Sequence, residues 1–350
     1  MVQIDGVMDA GFQAIDYKGH KVNGFNGNGS TTSQINFRGV SDLGGGLKAD
    51  FRVENDWNTV SNKANTGNVP TVSAVTTNGV TSYPTAGGAA SSWGNGEIRT
   101  GLSGGFGKVQ FGAINNNTLI ANLTGQPFGT AIGSAHNTLI KSSVDGATVR
   151  ADNSAQYNTP VFYGFSGSYL QSNKQYDTTS TAFTSALGGY NQTGVKEISV
   201  AYQGNGVDAR FTNHKTDNKN SMPAHNRTLN TLGANYAFGD AKVFLWTQTN
   251  KADDNSYNTA GTTLSGTYTL GSTVLMAQAG SVKDKLTNKT SKLAALGADY
   301  NLSKTVALYA RYENIKDDAN FVSGANLAGL TAVGTNVTRN RTALGLRVGF

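Results

Sequence analysis

The chain contains no cysteine, which excludes disulfide frameworks, thiolate metal sites and thiol nucleophiles. Proline is scarce, at 5 of 350 residues. A chain made of many paired strands needs that scarcity, because proline cannot donate to a ladder. No apolar run approaches the roughly 20 residues of a membrane helix, and the mean hydropathy is −0.34. A helical membrane protein is therefore excluded, but a barrel is not, since only alternate strand residues meet lipid. Charged residues make up 14%, and no two Lys or Arg are adjacent. The net charge of +6 thus lacks the concentrated basic patch that nucleic acid requires, and no nucleic-acid partner is expected. His20, His136, His214 and His225 lack metal-ligand spacing. Met1-Val2-Gln3-Ile4-Asp5 carries neither a basic n-region nor an apolar h-region. The chain is either cytosolic or a mature form whose signal peptide has been removed, and a barrel requires the second.

What the chain has in quantity is glycine (44), phenylalanine (15), tyrosine (14) and alternation. In Arg341–Phe350 one face is Thr342, Leu344, Leu346, Val348 and Phe350; the other is Arg341, Ala343, Gly345, Arg347 and Gly349. Successive strand side chains point to opposite faces, so this strand has one apolar side and one small or cationic side. The same two-residue period recurs over 2–13, 47–53, 96–102 and 305–313. Two segments are apolar on both faces. In 241–249, Phe244 and Trp246 oppose Val243 and Leu245; in 292–300, Leu293 and Ala295 oppose Ala294 and Leu296. A subunit interface or a loop covering the inner face accounts equally well for both.

Tight turns are marked at 44–46, 104–107, 163–164, 204–206, 239–240, 271–272 and 303–304, mostly by residues that tolerate positive φ. Long polar connections fall at about 18–30, 59–95, 116–149, 172–194, 215–226, 251–260, 283–291 and 317–337. Short turns alternating with long loops predict sixteen antiparallel strands in one domain over residues 1–350, a transmembrane β-barrel with short periplasmic turns and longer external loops. A soluble β-sandwich would leave edges to hide; closure abolishes them. Phe12, Tyr17, Trp57, Tyr236, Phe238, Tyr309, Tyr312 and Phe350 sit near strand ends, as interfacial girdles do.

Several blocks resemble the general porins of β-proteobacteria and Neisseria. They are Ile4-Asp5-Gly6-Val7-Met8-Asp9-Ala10-Gly11, the stretch Asn36–Ala49 followed by Val53-Glu54-Asn55, Ala151–Pro160 with Gly164–Gly167, and the Phe-terminated last strand. The resemblance implies a homotrimeric outer-membrane channel for small hydrophilic solutes and ions, in contact with outer-membrane lipid and lipopolysaccharide. It also implies a loop 3, about 116–149, that folds inward and faces a basic wall.

Counting residues from the turns at about 3.3 Å rise each puts Arg38, Arg52 and Arg99 at similar depth on adjacent strands. With Arg150 they form the expected constriction wall. Lys48, Asp50, Glu54, Glu97, Lys108, Arg311 and Glu313 are the other expected pore-lining groups. On the expected inward faces, basic groups outnumber acidic ones only slightly, which predicts a modest anion preference. Loop 3 carries few charges: its expected functional residues are Phe128, His136, Lys141 and Asp145. A constriction so weakly polarised also suits a pore selective for a small organic anion or weakly charged solute. No nucleophile elbow, paired-histidine motif or other enzyme signature is present, and no cofactor is expected. Asp253-Asp254 and Asp317-Asp318 are weak candidates for loop Ca²⁺ and read better as solvated loop tips.

Overall fold

The computed structural model describes residues 1–17, 20–60, 63–64, 75–77, 80–82, 94–136, 149–172, 194–217, 226–319, 321 and 338–350. The first wall strand, β1 (Val2–Tyr17), pairs with both halves of an interrupted β2 (His20–Gly27 and Ser33–Gly44). There follow β3 (Leu47–Asn58), β4 (Ile98–Gly104), β5 (Gly107–Asn115) and a short helix α1 (Asn117–Thr124). The wall continues through β6 (Arg150–Asn158), β7 (Phe165–Ser172), β8 (Gly194–Gly204), β9 (Val207–Asp217) and β10 (Arg227–Phe238). It ends with β11 (Ala241–Ala252), β12 (Asn258–Leu270), β13 (Thr273–Asp284), β14 (Lys289–Asn301), β15 (Val306–Asp317) and β16 (Thr338–Gly349). Short strands at Lys63–Ala64, Val75–Thr77 and Val80–Ser82 belong to the second long loop. The sheet has 18 hydrogen-bonded segments; joining the halves of β2 and setting Lys63–Ala64 aside leaves a closed 16-stranded antiparallel barrel.

Closure is made by the two ends of the chain. β16 pairs with β1 from Val7 opposite Gly349 to Tyr17 opposite Arg339. Phe350 then exchanges two backbone hydrogen bonds with Gly6, both at 3.1 Å. A Cβ at Gly6 would lie within contact of the Gln34 backbone carbonyl and 2.7 Å from the Phe350 ring, so glycine lets the neighbouring strand and the terminal aromatic approach together. All seven tight turns fall where the sequence marks them. The turn at Asn205-Gly206 has positive φ at both central residues, 52° and 80°, the type I′ geometry that matches strand twist.

The first external connection differs from the expected long loop over 18–30. Residues 20–27 continue the sheet as a hairpin with 10–17, and the irregular part shrinks to 28–32. That break is held from inside the barrel. The Asp9 carboxylate accepts the backbone N–H of Gly29, Ser30 and Thr31 at 3.2, 2.7 and 2.7 Å, and Asn28 Oδ1 accepts the Ser33 N–H at 2.6 Å. The carboxylate thus replaces the ladder partners that β2 loses.

The two faces of the wall behave as alternation demands. On β12, Leu264 is 66% exposed while its neighbours Thr263 and Ser265 are buried. Tyr236 and Phe238 stack at 5.6 Å near the short-turn end, beside exposed Tyr268, Tyr300 and Phe350. Tyr309 departs from the expected girdle. It points inward, is buried, and donates its hydroxyl to Asp9 Oδ1 at 2.7 Å. Arginine at the bilayer midplane of a barrel costs about 2–4 kcal/mol. Leu264→Arg is expected to lose that much unfolding free energy, measured by denaturant titration in lipid vesicles, and Leu264→Ile almost none.

Candidate functional site

The third long loop lies against the inner wall. After β5, Asn116 turns the chain, and α1 docks end-on to Glu197 of β8. The N–H groups of Asn117 and Thr118 donate to the two Glu197 oxygens at 2.5 and 3.0 Å, and Thr118 Oγ1 adds a bond of 2.6 Å. These are orphan donors of a helix N-terminus, and a wall carboxylate satisfies them in place of a local cap. His214 Nδ1 lies 3.0 Å from the same carboxylate, which fixes its orientation.

Further along, Trp246 of β11 donates its indole N–H to Asn122 Oδ1 at 2.7 Å. A Cβ at Gly233 of β10 would overlap the carbonyl of Ala121, so a glycine in mid-strand lets the helix touch the wall. Phe128 packs on Met276 and Ala295, and Ile132 on Tyr309 and Ala343. The apolar inner faces of β11 and β14 are therefore covered by the loop, which decides between the two readings of those strands. The loop ends against the break in β2: Ile132 N–H donates to the Gly29 carbonyl at 3.2 Å, and the hydroxyls of Thr32 and Thr130 meet at 3.0 Å.

Two expected pore-lining groups are covered by this loop rather than open to the lumen. Glu313, fully buried on β15, accepts from Arg339 Nη2 at 2.6 Å, Arg341 Nη2 at 2.9 Å and the Gly133 N–H at 3.0 Å. Arg311 pairs with Asp299 at 2.7 Å and reaches Ser30 Oγ at 3.0 Å, with the Phe128 ring 6.0 Å away. Both face inward, as alternation requires, but they hold the loop to the wall.

The described part of the loop, residues 116–136, rests mainly on β7–β16, and the remaining charges gather on the inner face of β2–β5. Arg38 pairs in the ladder with Arg52, and Arg52 with Arg99, so the three guanidinium groups form one row across three strands. Arg38 bonds Asp5 at 2.6 Å and keeps half of its side chain exposed. Arg52 reaches Glu54 at 2.5 Å and Glu97 at 3.5 Å. Arg99 bonds Asp50, which also takes Lys108 at 3.0 Å, and lies 3.4 Å from Glu97. Arg150 sits on the long-loop side, with Nη1 on the Asn95 carbonyl at 2.9 Å and Nη2 3.8 Å from Glu54. Lys48 stands exposed toward the short turns, level with Asp42 and Ser103. In this network five cations meet four carboxylates.

Within the loop, Phe128 and His136 are buried against the wall, with His136 Nδ1 3.3 Å from Asn122. Leu119 is buried too, whereas Ile120 and Leu123 are half exposed. Lys141 and Asp145, with Leu139 and Ile140, lie outside the described residues. The acidic loop pairs do not form a cation cage: among the described residues no group of three potential ligands gathers. Asp254 caps Ser256, Asp318 pairs with Lys316 at 3.2 Å, and Asp317 is buried on Ser291 rather than solvated. The anchors Glu197, Trp246 and Asp9 are not among the site residues expected from the sequence. Mid-strand Gly233 and Gly297 are the signal for them, because each marks a close approach to the wall.

Removing one partner of a buried ion-pair cluster leaves the others uncompensated, at a cost of about 3–5 kcal/mol. Glu313→Ala is expected to destabilise the barrel by that amount in denaturant titration. It should also raise current noise in single-channel records, since the loop loses its amide anchor at Gly133.

The chain matches the family model of Gram-negative porins over residues 1–320. It is 27% identical to outer membrane porin protein 32 of Delftia acidovorans, over 100% of this chain and 93% of that protein. It is 24% identical to the major outer membrane protein P.IA of a Neisseria meningitidis serogroup A strain, over 91% of this chain and 81% of that one. The solved anion-selective porin from Comamonas acidovorans superimposes with a TM-score of 0.75 at 24% identity, covering 100% of this chain and 99% of that one. The trimer form of OmpT from Vibrio cholerae superimposes at 0.66 with 13% identity, covering 100% and 99%. Its relatives are channels rather than enzymes. With a closed 16-stranded barrel, an apolar outer face and a family match over residues 1–320, the chain belongs to the Gram-negative porins of the outer membrane.

Proposed function

We propose that the protein is a general diffusion channel for small hydrophilic solutes and ions, with a modest preference for anions set at the Arg38–Arg52–Arg99 row. The observation that carries this reading is the position of that row, at one level across β2–β4, apart from the strands on which the described residues of loop 3 rest. Residues 116–136 of loop 3 rest on the opposite side of the barrel, which supports a solute path that runs past the row. Guanidinium groups stay charged at every relevant pH and reach well out from a wall.

The carboxylates limit the preference. Arg52 and Arg99 share Asp50, Glu54 and Glu97 at contact distance, so little of their field reaches solution. Arg38 is the most exposed member and has Asp5 alone; it carries most of the excess. The anion selectivity named for the Comamonas porin supports the same sign here. The trimeric form of the Vibrio protein supports assembly as a homotrimer. The apolar outer face suits outer-membrane lipid and lipopolysaccharide where it does not meet a neighbouring subunit.

Zero-current potentials in a KCl gradient across planar bilayers test this. The wild type is expected to favour chloride, and Arg38→Ala to lose most of that preference; clear cation selectivity of the wild type would refute it. The preference should also fade as salt rises, because the screening length drops from about 10 Å at 0.1 M to about 3 Å at 1 M.

A further inference from the structure

Arg210, on β9, differs from the arginines of the row and from those under loop 3. Each of those has a carboxylate oxygen within 4.0 Å. Among the described residues Arg210 has none. Its Nη1 donates to two neutral groups, Asn117 Oδ1 at 2.6 Å and Ser199 Oγ at 3.3 Å, and its Nη2 meets no described acceptor. Asp208 shares its face but accepts from Gln203 Nε2 at 3.2 Å instead. Glu197 is buried and committed to α1 and His214.

The place of this guanidinium matters as much as its freedom. Arg210 pairs in the ladder with Gly233, the residue on which α1 rests. Asn117, its partner, opens that helix, and Ile120 follows one turn later on the same edge, half exposed. The Thr124 carbonyl, at the far end of the edge, accepts from Asn235 Nδ2 at 2.9 Å. Asn235 lies two residues beyond Gly233 toward the short turns, so the C-terminal end of α1 rests on the short-turn side of Gly233. A cation bonded to neutral groups and an apolar side chain are therefore set one helical turn apart along the same edge of α1, on strands remote from the arginine row.

We infer that Arg210 and Ile120 form a second subsite in the pore, on the loop side, for short aliphatic monocarboxylates. The carboxylate meets Nη2 of Arg210, and the hydrocarbon tail lies on Ile120. The inference rests on the anion-preferring channel proposed above and adds to it a solute class and a specificity-determining residue. A pore with cations on both sides and an apolar ledge between them favours organic anions over chloride of the same charge. A purely electrostatic wall would not make that distinction.

Reversal potentials in matched gradients of potassium butyrate and KCl test it, on wild type, Arg210→Gln and Ile120→Ser. A half-exposed charge contact of this kind corresponds to roughly a twofold to fivefold change in relative permeability. The butyrate-to-chloride ratio is expected to fall by that factor in both variants, while Ile120→Ser leaves chloride-to-potassium selectivity unchanged. An unchanged ratio in both variants overturns the subsite. A ratio that falls in Arg210→Gln but not in Ile120→Ser overturns the aliphatic assignment, since the guanidinium then favours carboxylates whatever their tail. Should Arg210→Gln fail to insert, Ile120→Ser decides alone: an unchanged ratio overturns the subsite and a fall supports it. A wild-type pore that prefers potassium in KCl refutes the channel reading itself, which the butyrate arm does not measure.

Discussion

In the hydrocarbon of a bilayer no water is present to accept or donate, so every backbone N–H and C=O must be satisfied within the protein. That constraint forces the sheet of this chain to close, with β16 returning to β1 and Phe350 bonded to Gly6. Closure in turn assigns every second residue to the lumen. The inner surface is therefore a fixed set of positions whose chemistry can vary without disturbing the wall. The break in β2 shows the same rule locally. Where the ladder stops at 28–32, three N–H groups find the Asp9 carboxylate instead.

The lumen divides its charges into two kinds. One kind is structural: Glu313 with Arg339 and Arg341, Arg311 with Asp299, and Glu197 with His214 and the start of α1. Burial makes these expensive to leave unpaired, so each has a partner of opposite charge or a hydrogen bond at contact distance. The other kind lies on β2–β5, where buried Glu54 and Glu97 pair with the arginines and exposed Arg38 and Lys48 meet water. Residues 116–136 of loop 3 bring out the distinction by covering the first kind. Its own neutrality follows from that position, since a charged residue pressed on Met276, Ala295 and Trp246 would have no solvent.

Much of this was legible in the sequence. The turns were readable because glycine and asparagine stand where φ must be positive, as at Asn205-Gly206. The levelling of Arg38, Arg52 and Arg99 was readable because each could be counted from a turn at a constant rise. The path of loop 3 was not readable, because a loop has no period. For that reason Arg311 and Glu313 read as open pore residues although the loop buries them. The two-sided apolar character of β11 and β14 held the information, but alternation alone does not tell a covering loop from a neighbouring subunit. The break in β2 was hidden as well: Asp9 reads as one more lumenal acid until its partners at 29–31 are known.

The seat of loop 3 is built from opposite ends of the chain. Asp9 and Tyr309, bonded to each other, are 300 residues apart in sequence. Gly29 of β2 and Glu313 of β15 both take backbone groups of the loop. The platform that receives residues 130–133 therefore does not exist until the last strands have been made and the barrel has closed. Contacts of such long sequence separation form late, because the chain entropy of the intervening loop must first be lost. Wall and passage are thus tied in one geometry: the seat for residues 130–133 is complete only in a barrel whose two ends have met.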